Sequence, residues 1–194
     1  VLLSLSLLAP IEHLLRQRTY AQAREKIIKL KKHGLVVIGI TGSYGKTSTK
    51  DFLAHILSFS YPVLATENSI NTPLGVARTI IKNLHSRHRF FIVEMGAYKV
   101  GEIAELCDIA LPDMGVITGI SNQHLSLFGS QENIISGKSE LFDSLKPNST
   151  AYISAQSPHK HRNTNDSINI VEYSFKNLSA RLQKAVKATQ LPPE

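Results

Sequence analysis

The 194-residue sequence contains a single cysteine, no tryptophan and no long apolar run. A lone cysteine excludes a disulfide scaffold and a zinc cluster built on cysteines. Only 19% of the residues are charged and the mean hydropathy is −0.06, which excludes wholesale disorder. With 42% hydrophobic residues, the chain is long enough for a real core and short for two domains. We therefore expect a globular, intracellular protein.

The net charge of +7 is concentrated at the two ends of the chain. Residues 1–34 contain seven basic residues (Lys and Arg) and two acidic residues, and residues 151–194 contain six basic and three acidic residues. The middle of the chain, residues 35–150, is nearly balanced, with nine basic and ten acidic residues. A nucleic-acid-binding face needs a basic stripe with interleaved aromatic side chains, and the sequence has none. We therefore expect no nucleic-acid partner and interpret the basic ends as solvated helices.

Residues 1–34 differ in pattern from the rest of the chain. An apolar run from Val1 to Ala9 ends at Pro10 and is too short to span a bilayer, and it lacks the basic start and cleavage site of a signal peptide. The residues that follow, 11–33, are basic and have a partly amphipathic helical pattern. Such a segment is typical both of a cytoplasmic juxtamembrane region and of an ordinary surface helix, so both interpretations stay open.

From residue 35 onward, short apolar runs alternate with helical patterns. The β-branched run 35–40 is typical of a buried parallel strand. Further strands are predicted at 62–65, 90–93, 114–118, 151–153 and 168–171, and helices at 47–58, 73–84, 100–107, 131–145 and 178–188. This alternation predicts an α/β fold with a mostly parallel sheet and helices on both faces, formed by residues 35–194.

A glycine-containing turn joins the first predicted strand to the first helix. Backbone amides of such a turn and the helix N-terminus converge on a polyphosphate, which predicts a P-loop nucleotide-binding domain for ATP with Mg²⁺. Lys46 would reach the β and γ phosphates and Thr47 would ligate Mg²⁺. The strict spacing requires glycine where the chain has Ile40. The candidate nucleotide contacts are Thr41, Gly42, Ser43, Tyr44, Gly45, Lys46, Thr47 and Ser48.

Three further polar residues follow later strands, where an open parallel sheet places its site. Glu94 closes the third predicted strand, His124 follows the fourth, and Lys138 lies in the next helix. Each alone also fits a solvated surface position or, for the histidine, a hydrogen-bonded core position. Together, a carboxylate, an imidazole and a lysine downstream of a phosphate loop indicate a second cation site.

The run from Thr41 to Lys50 resembles the phosphate loop of the Mur ligases. Its Thr49-Lys50 continuation is most similar to the members that add D-alanyl-D-alanine to UDP-N-acetylmuramoyl-tripeptide. Matching segments follow in the same order and spacing at 68–75, 94–97, 101–103, 117–120, 124–125, 128–130 and 138–141. The resemblance spans residues 35–153 and implies the central ATPase domain of this family.

The resemblance implies a role for each matching residue. Lys46 contacts the ATP phosphates, Thr47 and Glu94 bind the first Mg²⁺, and His124 binds the second. Lys138 resembles a lysine that is carbamoylated in many members, where the carbamate acts as a carboxylate ligand. Asn71 and Thr72 match the loop that faces the UDP-sugar. The implied catalytic residues are therefore Lys46, Lys138 and His124, in a cytoplasmic ligase of peptidoglycan precursor synthesis whose reaction passes through an acyl phosphate.

The chain also departs from the family pattern. Tyr44 stands where asparagine is common, and residues 154–156 lack the usual Asn-x-Asp run. The adenine-side segment, the amino-terminal UDP-binding domain and the carboxy-terminal domain that brings the amine have no counterpart in the sequence. We therefore expect a fragment that is inactive alone and completed by that carboxy-terminal domain. Two alternatives stay open: a non-catalytic ATP-binding module, and folylpolyglutamate synthase. The second is disfavoured because it would have Gly-Lys-Gly-Ser where this chain has Gly45-Lys46-Thr47-Ser48.

Overall fold

The computed structural model describes residues 2–67, 70–121, 125–155, 157 and 167–174. Within these residues, helices and strands alternate along the chain, as the sequence predicts. They are α1 (Leu2–Lys31), β1 (Val36–Thr41), α2 (Lys46–Ser58), β2 (Val63–Ala65), α3 (Pro73–Asn83), β3 (Phe90–Glu94), α4 (Glu102–Ala110), β4 (Met114–Ile117), α5 (Leu125–Phe128), α6 (Gln131–Asp143), β5 (Thr150–Ser154) and β6 (Asn169–Tyr173).

The six described strands form one sheet in the order β2-β3-β1-β4-β5-β6, and every pair is parallel. The order reverses at β1, which pairs with β3 on one side and β4 on the other. The registers place Ile40 beside Glu94 and Thr41 beside Ile117. Because the carboxyl ends of these strands meet where the strand order reverses, a crevice for a ligand is expected there.

Side chains that alternate along the strands build a separate core on each face of the sheet. Val37 and Val93 point into the larger core, which is shared with α1, α3, α4 and α6. Ile38 and Ile92 point to the opposite face, where Leu53 and Leu57 of α2 pack against them. The predicted parallel α/β fold with helices on both faces is therefore confirmed.

Helix α1 runs through Pro10, the residue at which the apolar run of the sequence ends. Proline removes one backbone hydrogen bond and crowds the carbonyl of the residue four positions earlier. Residues 9–18 are exposed, and the helix continues beyond them to Lys31. The second half of α1 is buried through Ala23, Ile27 and Leu30. It is also tied to the sheet by an ion pair of 2.5 Å between Lys31 Nζ and Asp113 Oδ1.

We expect Ile27→Ala to lower the free energy of unfolding by about 2–4 kcal/mol, because Ile27 is fully buried and its truncation leaves a cavity. Ile28 is the matched control, since it is 39% exposed on the same helix turn and its truncation should cost below about 1 kcal/mol. Urea denaturation of both variants measures the difference. Equal destabilisation would show that α1 does not pack as described.

Other differences from the sequence prediction concern the ends of one helix and one additional short helix. The helix predicted at 100–107 is observed at 102–110, because Gly101 precedes it with φ 98° and Leu111 ends it with φ 50°. The short helix α5 was not predicted, and the helix predicted at 178–188 lies outside the described residues. In the described part of the chain, no helix has both the length and the hydropathy of a membrane span.

Candidate functional site

Residues 42–45 form a tight turn between β1 and α2 at the carboxyl edge of the sheet. Gly42 has φ 148° and Gly45 has φ 77°, values that favour glycine. A Cβ atom on Gly42 would lie 2.2 Å from Thr118 Oγ1, so no side chain fits there. Gly45 caps α2, whose first backbone amides have no acceptor within the helix. The turn therefore presents N–H groups at a helix N-terminus, an arrangement that suits an anion.

The turn is held in place by the residues that follow β4. The Ser43 amide donates to the Gly119 carbonyl at 2.7 Å, and the Ser121 amide donates to Ser43 Oγ at 3.1 Å. The Thr118 hydroxyl donates to the backbone carbonyl of Tyr44. The Tyr44 ring lies against Gly119 and remains 48% exposed. These contacts fix the turn before any ligand binds.

Lys46 begins α2 and folds back over the turn. Its Nζ donates to the Gly42 carbonyl at 2.8 Å. Burial lowers the pKa of Lys46, while the charge of Glu94 acts in the opposite direction. The ammonium group is therefore already directed at the concave side of the turn, where a phosphate would compete with a neutral carbonyl for it.

Glu94 is a buried carboxylate at the end of β3, with 3% exposure. Its backbone amide donates to Thr66 Oγ1 at 3.0 Å, which fixes the chain after the apolar run of the strand. Thr47 Oγ1 donates to Glu94 Oε2 at 2.9 Å, and Asn71 Nδ2 donates to Glu94 Oε1 at 3.2 Å. One carboxylate thus joins the start of α2 to the loop before α3.

Lys138 projects from α6 toward the same edge and is 4% exposed. Its Nζ donates to the Ala97 carbonyl at 3.4 Å and lies 5.5 Å from the centre of the Phe128 ring. Burial and the charge of Lys46 lower the pKa of Lys138 to about 8, against the opposing charges of two glutamates. A cavity of about 40 Å³ lies between these elements, and its lining includes Lys46, Asn71 and Lys138.

The oxygen atoms near the turn can be compared with those that a divalent cation requires. Among the described residues, no three His, Cys, Asp or Glu side chains cluster at metal-binding distances. The candidate ligands are instead one hydroxyl and one carboxylate, Thr47 and Glu94, 2.9 Å apart. Mg²⁺ fits such a pair, because it usually takes one or two protein oxygens and completes its shell with water and phosphate.

The structure brings most of the sequence-predicted residues together. Lys46, Thr47, Glu94, Asn71 and Lys138 surround the turn. Thr72 is the N-cap of α3 and Ser48 lies in the first turn of α2, and both are exposed. His124 lies outside the described residues.

Three residues for which the sequence indicated no role lie beside the site in the structure. Lys50 is buried against Glu94, Thr118 holds the turn, and Phe128 lies under Lys138. The spacing of Lys50, one helical turn after Lys46, was a usable signal. The sequence contained no such signal for Thr118 and Phe128, because their positions depend on how distant segments of the chain pack.

The chain matches a known protein family over most of its length. Residues 40–191 match the family described as the Mur ligase middle domain. Over 129 residues the chain is 40% identical to the UDP-N-acetylmuramoyl-tripeptide–D-alanyl-D-alanine ligase of Buchnera aphidicola subsp. Acyrthosiphon pisum. That match covers 66% of this chain and 28% of the relative, so the chain spans about a quarter of the relative's length.

Solved structures give the same result at the level of the fold. MurF from Acinetobacter baumannii superposes with a TM-score of 0.77 at 30% identity, covering 82% of this chain and 35% of that one. MurF ligase from Thermotoga maritima, solved in complex with ADP, superposes with a TM-score of 0.73 at 31% identity. That match covers 81% of this chain and 36% of the other. Because the family model matches residues 40–191, which is most of this chain, the chain belongs to the Mur ligase family and contains its middle domain.

Proposed function

We propose that this chain is the ATP-binding domain of a ligase that joins D-alanyl-D-alanine to a UDP-N-acetylmuramoyl peptide. The observation that carries the proposal is the glycine turn with Lys46 folded over it, beside the Thr47–Glu94 pair. This arrangement suits a triphosphate with a divalent cation. The names of the matched relatives supply the substrates, which extend to this chain as part of the proposal.

Each residue of the site has a role in this proposal. The turn amides and the Lys46 ammonium hold the β and γ phosphates of ATP, with Thr41, Gly42, Ser43, Tyr44, Gly45 and Ser48 shaping the turn. Thr47 and Glu94 hold Mg²⁺, which when bound neutralises charge on the phosphate oxygens. Asn71 and Thr72 face the UDP-sugar, and Asn71 also fixes Glu94 through its amide.

Lys138 has a separate role as a carbamoylated lysine. Only the neutral amine reacts with CO₂, and burial together with the nearby charge of Lys46 lowers the pKa of Lys138 and so favours that form. The product carries a carboxylate-like group at the edge of the cavity that Lys46 also lines. We propose that this group and His124 hold a second Mg²⁺.

The reaction would proceed in two steps at this edge. A carboxylate oxygen of the UDP-muramoyl peptide attacks the γ phosphorus, and the bond from that phosphorus to ADP breaks. The amine of D-alanyl-D-alanine then attacks the acyl carbon, and inorganic phosphate leaves as the amide forms. The residues of this chain form no covalent bond; they position the phosphates and stabilise the charge that develops on them.

The proposal also covers the cellular location of the protein and the domain that would complete the site. ATP and UDP-linked substrates are cytoplasmic metabolites, so we propose a cytoplasmic enzyme. In α1, exposed Ile11, Leu14 and Leu15 lie beside Arg16 and Arg18, which would suit the anionic inner face of a membrane. The amine substrate would be brought by a carboxy-terminal domain, without which the chain binds ATP and does not turn over.

The test is substrate-dependent ATP hydrolysis in a protein that joins this chain to a downstream Mur ligase domain. We expect phosphate release only when UDP-muramoyl-tripeptide is present, and amide product only when D-alanyl-D-alanine is added. Phosphate release that responds to a folate and glutamate instead would favour folylpolyglutamate synthase. ATP binding with no release under any condition would favour the non-catalytic module.

A further inference from the structure

Lys50 is the most deeply buried charged residue described, with 1% exposure. It belongs to the stripe of α2 that faces the sheet, together with Leu53, Ala54 and Leu57. Helical periodicity makes this an apolar position, and a lysine there loses its hydration. Packing alone therefore does not account for a charged residue at this place.

Two carboxylates lie within 4 Å of the Lys50 ammonium, and they differ in environment. Asp51 Oδ1 is 3.3 Å away on a side chain that is 57% exposed, whereas Glu94 Oε2 is 3.7 Å away on a side chain that is 4% exposed. An exposed pair is screened by water and contributes little. The partner that matters for the buried ammonium is therefore Glu94, although it is slightly farther away.

The oxygen that faces Lys50 is the one that Thr47 also contacts. Thr47 Oγ1 donates to Glu94 Oε2, and Asn71 Nδ2 donates to the other carboxylate oxygen. Thr47 is exposed and supplies one neutral hydrogen bond. Without the Lys50 charge, Oε2 would keep only that bond, and the carboxylate could rotate toward water.

We propose that Lys50 is a positioning residue that holds Glu94 Oε2 beside the Thr47 hydroxyl, so that both oxygens are ready for the divalent cation that accompanies a nucleotide. This inference rests on the proposed nucleotide-binding function. Lys50 itself is buried and does not line the cavity that Lys46 lines. Its effect on the cation therefore passes through Glu94.

The test measures ADP binding to the chain by calorimetry at increasing Mg²⁺, with EDTA as the metal-free point. Lys50→Met should raise the Mg²⁺ concentration at the midpoint by roughly tenfold, which is typical of the coupling between contacting residues. Metal-free ADP affinity should change by less than about threefold, because the turn and Lys46 are untouched. Lys31→Met is the matched control: it removes a partly buried lysine paired with Asp113 far from the turn and should leave the midpoint unchanged.

A double-mutant cycle with Glu94→Gln decides whether Lys50 acts through Glu94. In the Glu94→Gln background, Lys50→Met should cause no further shift of the midpoint. A shift that persists there, or a Lys50→Met variant that behaves like Lys31→Met, would overturn the positioning role. Absence of ADP binding by the unsubstituted chain would instead overturn the proposed function, and this inference with it.

If circular dichroism shows that Lys50→Met does not fold, the same Mg²⁺ titration of Lys50→Arg tests the positioning role instead. Arginine keeps the positive charge near Oε2, so its Mg²⁺ midpoint should stay within about threefold of the unsubstituted chain. A tenfold shift in a folded Lys50→Arg variant would overturn the proposal, because the charge would then not be what holds Glu94.

Discussion

Lys46→Ala is expected to weaken ATP binding by the chain at least ~100-fold, or about 3 kcal/mol, the size found when one member of a buried charge pair is removed. The physical reason is that the Lys46 ammonium is directed over the glycine turn before a ligand arrives. The turn amides remain in the variant, so residual weak binding is expected. Calorimetric titration with ATP and Mg²⁺ measures the change.

The control for Lys46→Ala is Lys82→Ala, which removes an exposed lysine from α3. It carries the same change in net charge and should alter ATP affinity by less than about threefold. Retained affinity in Lys46→Ala would mean that the turn does not bind the phosphates through this residue. Equal losses in both variants would indicate a general charge effect.

Lys138→Ala should leave ATP binding nearly unchanged and remove turnover in the protein joined to a downstream ligase domain. We expect a loss in kcat of roughly 100- to 1,000-fold, the size found on removing one preorganised electrostatic group. Short carboxylates such as acetate should restore part of the activity, because they can occupy the space of the lost carbamate. Lys146→Ala, which removes an exposed lysine just after α6, should retain full activity.

The carbamate has a signature that does not depend on activity. With a pKa of about 8, roughly one Lys138 amine in ten is neutral at pH 7, and this fraction rises as the pH passes through 8. Because CO₂ adds to the neutral amine with release of one proton, carbamate should increase with pH. ¹³C NMR with labelled bicarbonate should show a carbamate signal that grows from pH 6.5 to pH 8.5 and is absent in Lys138→Ala. A signal that persists in the variant would assign the modification to another amine.

Local rules explain why so much of the fold could be predicted. Buried parallel strands appear in the sequence as short runs rich in β-branched residues, and Val36–Thr41, interrupted only by Gly39, is such a run. Proline at the first position of α3 and glycine before α2 mark helix starts through backbone constraints that act within a few residues. The sequence indicated a helical segment over residues 1–34 but not that it continues unbroken through Pro10, because a proline inside a helix removes a backbone hydrogen bond.

The candidate site likewise contains residues that local sequence identifies and residues whose placement depends on the tertiary structure. Gly42, Gly45, Lys46 and Thr47 could be identified from spacing alone, because the turn and the helix N-terminus are contiguous in sequence. Glu94 and Lys138 could be named as candidates, but their approach to the turn depends on strand order and on the packing of α6. The family resemblance implies that Thr47 and Glu94 share a cation, but no sequence pattern indicates that Lys50 and Asn71 also contact Glu94.

The sequence by itself determined that this protein has a parallel α/β sheet with a phosphate-binding turn, because strand burial and glycine conformation are local properties. Only the tertiary structure decided which charges meet. Lys50 occupies a position that helical periodicity assigns to the core, and the end of β3 places Glu94 against it. A buried charge is stable only beside its counter-charge, so its identity depends on segments that the fold brings together.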